Sequence, residues 1–518
     1  MCSPRFGPAC IPILAAALLA GCAAQPAWQK PPPGIAQAPR PDSPFASTET
    51  RIATHHGAGS SGFDLLERND RALQWRLALI DSARHSIDLQ YYVWFGDTVG
   101  KLIMFRVIDA ADRGVKVRIL FDDLNTMLHD MTHVELRDSL LARIDRHPNI
   151  EIRVFNAWQE RSLAGRVFGT ATDFERLNRR MHNKQMIVDN RAAIIGGRNL
   201  GDEYFGLNPD FNFHDLDVLG VGPVARQASQ VFDRYWNSEW VRRIPKPEAA
   251  EASSPDDELG SRSRAELMRH PSLQALNAGS TDWDGPLAGL PAMLAVGASQ
   301  VHTDSPSRDA KVSNHTPEAF RALMRSARRE VLITNAYIIP DTLFMDDLRE
   351  LGARGVQVRI LTNSLASHDV PAVNSHYQAW REPILATGAR LHELRADAAV
   401  QGEFVDLPPL RAAFVGLHTK AMVIDRERAF VGSMNLDPRS QILNSEMGVI
   451  IDSPVLADRL ARRMDRDMEA ANSWEVTRSP AGGLVWRSDA GELTRQPARS
   501  LWQRLEDMVF KLFPPSLY

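Results

Sequence analysis

At 518 residues, with 44% apolar and 24% charged residues, the chain is long enough for two or three globular domains with ample cores. A formal net charge of −4 gives no general basic field for gripping a polyanion, so nucleic acid is not an expected partner. The three cysteines, Cys2, Cys10 and Cys22, all precede residue 23, which excludes a disulfide framework or a cysteine-based metal site in the folded part.

In chain order, the N-terminus reads as an export signal. Arg5 is followed by a small apolar run, Ala9 to Ala20, too short to span a bilayer, which needs about 20 residues. The run ends in Leu19-Ala20-Gly21-Cys22, which resembles the lipobox of bacterial lipoproteins. That resemblance implies a lipidated Cys22 as mature N-terminus and a periplasm-facing, outer-membrane location. Residues 23–60 are crowded with proline (Pro26, Pro31, Pro32, Pro33, Pro39, Pro41 and Pro44), and are expected to form an extended tether that buries no core. Folded sequence is expected from near Phe63.

An internal duplication follows. Ser82-Ala83-Arg84 leads into an apolar strand at Ile87–Val93, a helical stretch, and a second strand at Val115–Leu120. Ser326-Ala327-Arg328 leads into the same succession, with strands at Val331–Tyr337 and Val356–Leu361. Each copy has the strand–helix–strand pattern of a parallel βαβ unit. The segment Asp217–Pro223 has its counterpart at Gly448–Pro454. The pattern predicts a first domain over 61–245, a linker over 246–297 with some helix, and a second domain over 298–518. Asp122, Asn125, Asn363 and Ser364 follow the second strand of each βαβ unit, where ligands gather in such folds, and are candidate substrate contacts.

Each copy also carries one compact constellation, with the spacing H-x-K-x4-D-x6-G-[GS]-x-N in both. The first comprises His182, Lys184, Asp189, Gly197 and Asn199; the second His418, Lys420, Asp425, Ser433 and Asn435. Residues i and i+2 of an extended segment share a face, so each histidine and its lysine point into one space. Asp189 and Asp425 open turn-forming runs between two apolar strands and are counted with the catalytic set. A phosphodiester needs such a set: one neutral imidazole to attack phosphorus, a protonated one for the leaving oxygen, and lysines and asparagines for the developing charge. The lysines supply positive charge, so neither metal nor cofactor is required. A lone H-x-K is usually an ordinary pair, but two complete sets at equivalent places of a duplicated chain are highly specific.

These paired motifs resemble those of the phospholipase D superfamily, over nearly all of residues 60–518. The runs Asp173–Lys184 and Gly196–Phe205 look most like the bacterial cardiolipin synthases of the third type. The resemblance implies two α/β/α sandwich domains sharing one active site, a phosphohistidine intermediate formed on His182, phospholipid substrates, and a membrane surface as partner. It also implies an acidic residue beside each catalytic histidine. Aligning Pro223 with Pro454 selects Asp215 and Glu446, which gives His182 an aspartate partner and His418 a glutamate. Gly197 and Ser433 are the expected substrate contacts at that point of each motif, but Gly197 stands where the common pattern has serine, which removes a hydroxyl contact. Tyr91, Tyr92 and Trp94 end the first strand of the first copy and are expected as core aromatics, with the lining of an acyl groove as the alternative. Residues 501–513 form an amphipathic helix, for which core packing and a lipid-facing role, with Trp502 and Phe510 inserted, are both open.

Overall fold

The structure, a computed structural model, describes residues 30–123, 140–157, 174–244, 258–274, 282–306 and 315–512. Two copies of one α/β layout lie about a pseudo-two-fold relation. In the first half, β1 (Ser61–Leu66), β8 (Asp217–Val221), β6 (Ala192–Gly196), β5 (Gln185–Val188), β2 (Ser86–Tyr91), β3 (Lys116–Asp122), β4 (Ile150–Phe155) and β9 (Val241–Arg243) neighbour one another in that order. The second half repeats it with β10 (Ala295–Thr303), β17 (Met447–Asp452), β16 (Arg428–Gly432), β15 (Lys420–Ile424), β11 (Glu330–Asn335), β12 (Gln357–Asn363), β13 (Arg390–Leu394) and β18 (Ser473–Arg478). The central pairs β2–β3 and β11–β12 are parallel, as the βαβ reading requires, with crossover helices Thr98–Asp112 and Thr342–Ala353.

Strand β1 also pairs with β10, so the two halves share one continuous sheet. A single apolar cluster spans both. It joins Ile187, Ile195 and Val218 to Val423, Val431 and Val449 through the helices Pro223–Trp236 and Pro454–Asp467. Such a core fixes the halves against each other, because separating them would expose all of this apolar surface.

The expectation of a free tether is corrected by the packing. Residues 30–45 run as a strap across the first half, and a helix follows at Ala46–His56. Phe45 is fully buried. The carbonyl of Pro32 accepts from Arg153, Gly34 N–H donates to Asn237 at 2.8 Å, and Glu49 takes both Arg191 and Arg226. Proline removes donors but leaves carbonyls, and here side chains of the first domain satisfy them. The linker region likewise folds back, with Arg264 paired to Asp109 at 2.8 Å.

The aspartates of the repeated motif are corrected as well. Asp189 and Asn190, and Asp425 and Arg426, are the first two residues of three-residue hairpin connections, with φ between 52° and 59°. The Asp425 carboxylate accepts the backbone N–H groups of Arg328, Arg329 and Glu330 at 2.7–2.9 Å. Asp189 does the same for His85 and Ser86, at 2.8 and 3.1 Å, and also accepts the Ser43 hydroxyl. Both aspartates thus tie a hairpin to the start of its neighbouring strand. They lie at the far end of β5 and β15 from the histidines, and are structural rather than catalytic.

Candidate active site

At the other end of those strands the two halves exchange backbone bonds. β7 (Phe211–His214) runs parallel to β14 (Phe414–Leu417) across the interface. The carbonyl of His214 accepts the N–H of His418 at 3.0 Å. Symmetrically, His182 N–H donates to Ser445 O, and Ser445 N–H to Arg180 O, both at 2.8 Å. The residue after His214 is Asp215, and the residue after Ser445 is Glu446. Each acid is therefore delivered to the histidine of the opposite half.

The pairing is crossed. His418 Nδ1 lies 2.6 Å from Asp215 Oδ2, and His182 Nδ1 lies 2.9 Å from Glu446 Oε2. This corrects the alignment-based assignment within each half. Both acids are fully buried, and with Nδ1 committed to a carboxylate each histidine keeps Nε2 for chemistry. Lys184 and Lys420 donate to the backbone carbonyls of His182 and His418.

The two halves differ electrostatically. Burial, then the charges of Lys184 and Lys420, drive His182 well below the ordinary imidazole range. Burial and Lys420 also hold His418 below the ordinary imidazole range, although Asp215 opposes them by charge and hydrogen bond. Burial would raise Asp215, yet His418, Lys420 and Arg198 outweigh it and hold this carboxylate well below its usual range. Burial pushes Glu446 up to about 7. It also pushes Lys420 down to about 8 and Lys184 well below its ordinary value. The first histidine is thus poised neutral, while the second has an ionised partner for an imidazolium.

Several expected substrate contacts turn out to position the histidines instead. Asp122 accepts the N–H of Met181, directly before His182, at 2.9 Å, and pairs with Arg180. Asn363, its counterpart, accepts the N–H of Leu417, directly before His418, at 2.9 Å. Its amide donates to Leu417 O and Ala336 O, so no polar atom is left for substrate. Ser364 is spent on Leu394 O. Asn125 lies outside the described residues. Ser433 donates to Glu446 at 2.5 Å, which orients the acid rather than a phosphate. A Cβ at Gly197 would come within 2.4 Å of Asp215 Oδ1, so glycine there makes room for the first acid. Asn199 accepts from Val93 N–H and donates to the Tyr204 hydroxyl at 2.9 Å, acting through that ring. Asn435 is buried with its Oδ1 unpartnered, which leaves that oxygen open to a substrate hydroxyl.

Of the aromatic walls, sequence reasoning singled out Tyr92 alone and missed Tyr337, Tyr204 and Phe213. Tyr92 stands edge-on to His182, with centroids 4.9 Å apart and Lys184 Nζ 5.2 Å from the ring. The expectation that Tyr92 is a core aromatic is therefore corrected, whereas Tyr91 is buried as expected. Tyr337 is its counterpart, 5.7 Å from Lys420 Nζ. The signal was available: both tyrosines stand just beyond equivalent strands of the duplication. Tyr204 and Phe213 reach His418 from the other half, at 5.2 and 4.9 Å.

Comparison with known proteins shows the family and the fold. The family model described as "Cardiolipin synthase, PLD-like domain" matches residues 77–236 and 320–468, one match per half. Cardiolipin synthase C of Escherichia coli (strain K12) is 33% identical over 488 residues, 91% of this chain and 98% of that protein. The major cardiolipin synthase of Bacillus subtilis (strain 168) is 26% identical over 88% of this chain and 75% of its own length. Among solved structures, phosphatidylserine synthase of Haemophilus influenzae Rd KW20 shares the fold. Its TM-score is 0.52 at 12% identity, covering 81% of this chain and 91% of that one.

Proposed function

This chain belongs to the family of cardiolipin synthases with phospholipase D-like domains, and from that premise we infer that it is a phosphatidyltransferase forming cardiolipin. Phosphatidylglycerol is the acceptor and a second phospholipid the donor. The observation that carries the chemistry is the pair of buried histidines, one from each half, each held at Nδ1 by an acid of the other half.

His182, the more strongly depressed imidazole, attacks phosphorus through Nε2. The bond from phosphorus to the donor's leaving oxygen breaks, and that oxygen takes the proton of His418 Nε2. His418, now neutral, next takes the proton of the acceptor hydroxyl. The acceptor oxygen attacks phosphorus, and the phosphorus–nitrogen bond breaks to return neutral His182. Lys184 and Lys420 are buried and both close enough to act on His182, and an arriving phosphate favours their charged forms, which then stabilise the equatorial oxygens.

The test is mass-spectrometric lipid analysis after incubating purified protein with phosphatidylglycerol, with and without phosphatidylethanolamine, in strong chelator. Cardiolipin is the expected product and chelation leaves the yield unchanged, because the lysines carry the charge that a metal would supply. Phosphatidic acid without cardiolipin would make the chain a hydrolase instead. Loss of activity restored by a divalent ion would overturn the lysine-based mechanism.

We propose further that Cys22 is lipidated and holds the catalytic body on the periplasmic side of a membrane, with the outer membrane as its destination. The lipobox-like Leu19-Ala20-Gly21-Cys22 supports this reading. No helix among the described residues is long and apolar enough to cross a membrane. Cys22→Ser is expected to move protein from the membrane fraction to the soluble fraction or to loosen it, since several acyl chains hold far more firmly than surface contacts alone. Membrane retention identical to wild type, including resistance to salt washing, would refute lipid anchoring.

A further inference from the structure

The C-terminal helix, Leu501–Phe510, is packed inside out. A surface helix ordinarily turns its apolar stripe to the core. Here Gln503 and Asp507 face inward and are each 3% exposed. Asp507 accepts from Asn374 at 2.6 Å and from Gln378 and Gln496, and Gln503 donates to Leu365 O at 2.5 Å. Ser500 caps the helix by accepting the Gln503 N–H. Outward stand Leu501, Trp502, Leu505, Met508, Val509 and Leu512, between 43% and 85% exposed. Inward hydrogen bonds hold this helix, which leaves a contiguous apolar face in contact with water. Such faces mark interaction sites.

Its place decides the occupant. Arg499, at the foot of the helix, donates to Ala366 O and His368 O and lies 3.5 Å over the Phe414 ring. Phe414 opens the strand that delivers His418, and His368 stacks on Tyr337, which faces Lys420. The helix is thus tied, through His368 and Phe414, to the side chains that flank His418 and Lys420. The outward charges of residues 495–512 are mainly cationic, with Arg495, Arg504 and Lys511 against Glu506. A second copy would bring like charges together, whereas anionic headgroups would complement them.

We propose that this outward apolar face docks on an anionic phospholipid surface beside the mouth of the site, so that lipid headgroups enter the cavity from the His418 side. The proposal rests on the phospholipid reading of the active site.

The experiment uses the full chain carrying Cys22→Ser, so that acyl anchoring does not contribute, and vesicles of phosphatidylglycerol and phosphatidylethanolamine. Adding Trp502→Glu and Leu505→Glu is expected to lower the vesicle-bound fraction about tenfold or more. Turnover of monomeric dihexanoyl phosphatidylglycerol is expected to stay unchanged. Should neither protein turn over the short-chain lipid while the vesicle-binding difference persists, the chemical reading fails and the docking surface stands. Brominated-lipid quenching gives a second measurement that needs no charged variant. Quenching seen with Trp502 and lost in Trp502→Phe supports insertion. Equal vesicle binding by both proteins, no quenching attributable to Trp502, or a dimer-to-monomer change in place of a binding change would overturn the proposal.

Discussion

His182→Ala forms no phosphatidylated protein and loses about 10^4-fold or more in turnover, the scale of removing a covalent nucleophile. His418→Ala loses about 10^2- to 10^4-fold with a natural phospholipid, the range of general acid–base catalysis. With a donor whose leaving group needs no protonation, the His418 variant still forms an adduct but releases it slowly, because no base remains to activate the acceptor. The electrostatics supply the reason for the asymmetry. His182 faces an acid that burial pushes up to about 7, and the two lysines add to its depression, so its lone pair is free. His418 is lowered as well, by burial and Lys420, but it faces an acid held ionised, whose charge and hydrogen bond oppose that lowering. Intact-protein mass spectrometry of both variants decides the matter. An adduct on His418 in the His182→Ala protein, with none in the reciprocal variant, would exchange the two roles. No adduct in quenched wild type would remove the covalent mechanism.

Asp215→Asn, a change in the first half, reproduces the phenotype of losing the second-half histidine. The expected effect is about 10^3-fold on turnover, since a carboxylate that fixes an imidazole's tautomer and stabilises its charged form is worth about that much or more. Given an activated donor, Asp215→Asn retains adduct formation and slows release. Glu446→Gln, in the second half, slows adduct formation by His182 while leaving release of preformed adduct less affected. Single-turnover kinetics with adduct and product measured separately distinguish the two steps. Reversal, with Asp215→Asn blocking adduct formation, would mean that acid and histidine work within one half. That outcome would contradict the 2.6 Å contact between His418 and Asp215. Ser433→Ala is a milder version of the Glu446 change, because it removes the hydroxyl that holds that carboxylate.

The crossed arrangement makes the interface itself part of the machinery. Neither half contains a histidine together with its orienting acid. Through the β7–β14 pairing, a shift between the halves would move Asp215 away from His418 at the same time as it broke backbone bonds. The apolar cluster shared by both halves opposes such a shift, and holds both catalytic pairs in register.

The sequence by itself determined the duplication, the βαβ units, the two His-Lys pairs and the identity of both acids. These are legible because they are local or repeated. Strand periodicity, the two-residue offset of His182 and Lys184, and the equivalence of Pro223 and Pro454 are all properties of short segments. Partners across the interface are not local, and only the tertiary structure decided them. Alignment sees which residue is equivalent to which, but a pseudo-two-fold axis brings each acid to the histidine of the other copy, and nothing in one copy records that. The same limit explains Asp189 and Asp425. Spacing placed them in the motif, but the extended strands between put them at the opposite end from the histidines, where three consecutive backbone donors await a carboxylate. It explains the strap as well. Proline content correctly excludes regular structure over 30–45, yet a segment without its own hydrogen bonds can still be ordered by donors that belong to the domain beneath it. The C-terminal helix shows the converse. Its amphipathic period was plain, but which side faced inward depended on Asn374, Gln378 and Leu365, more than a hundred residues away, whose polar groups took the polar face and left the apolar one outside.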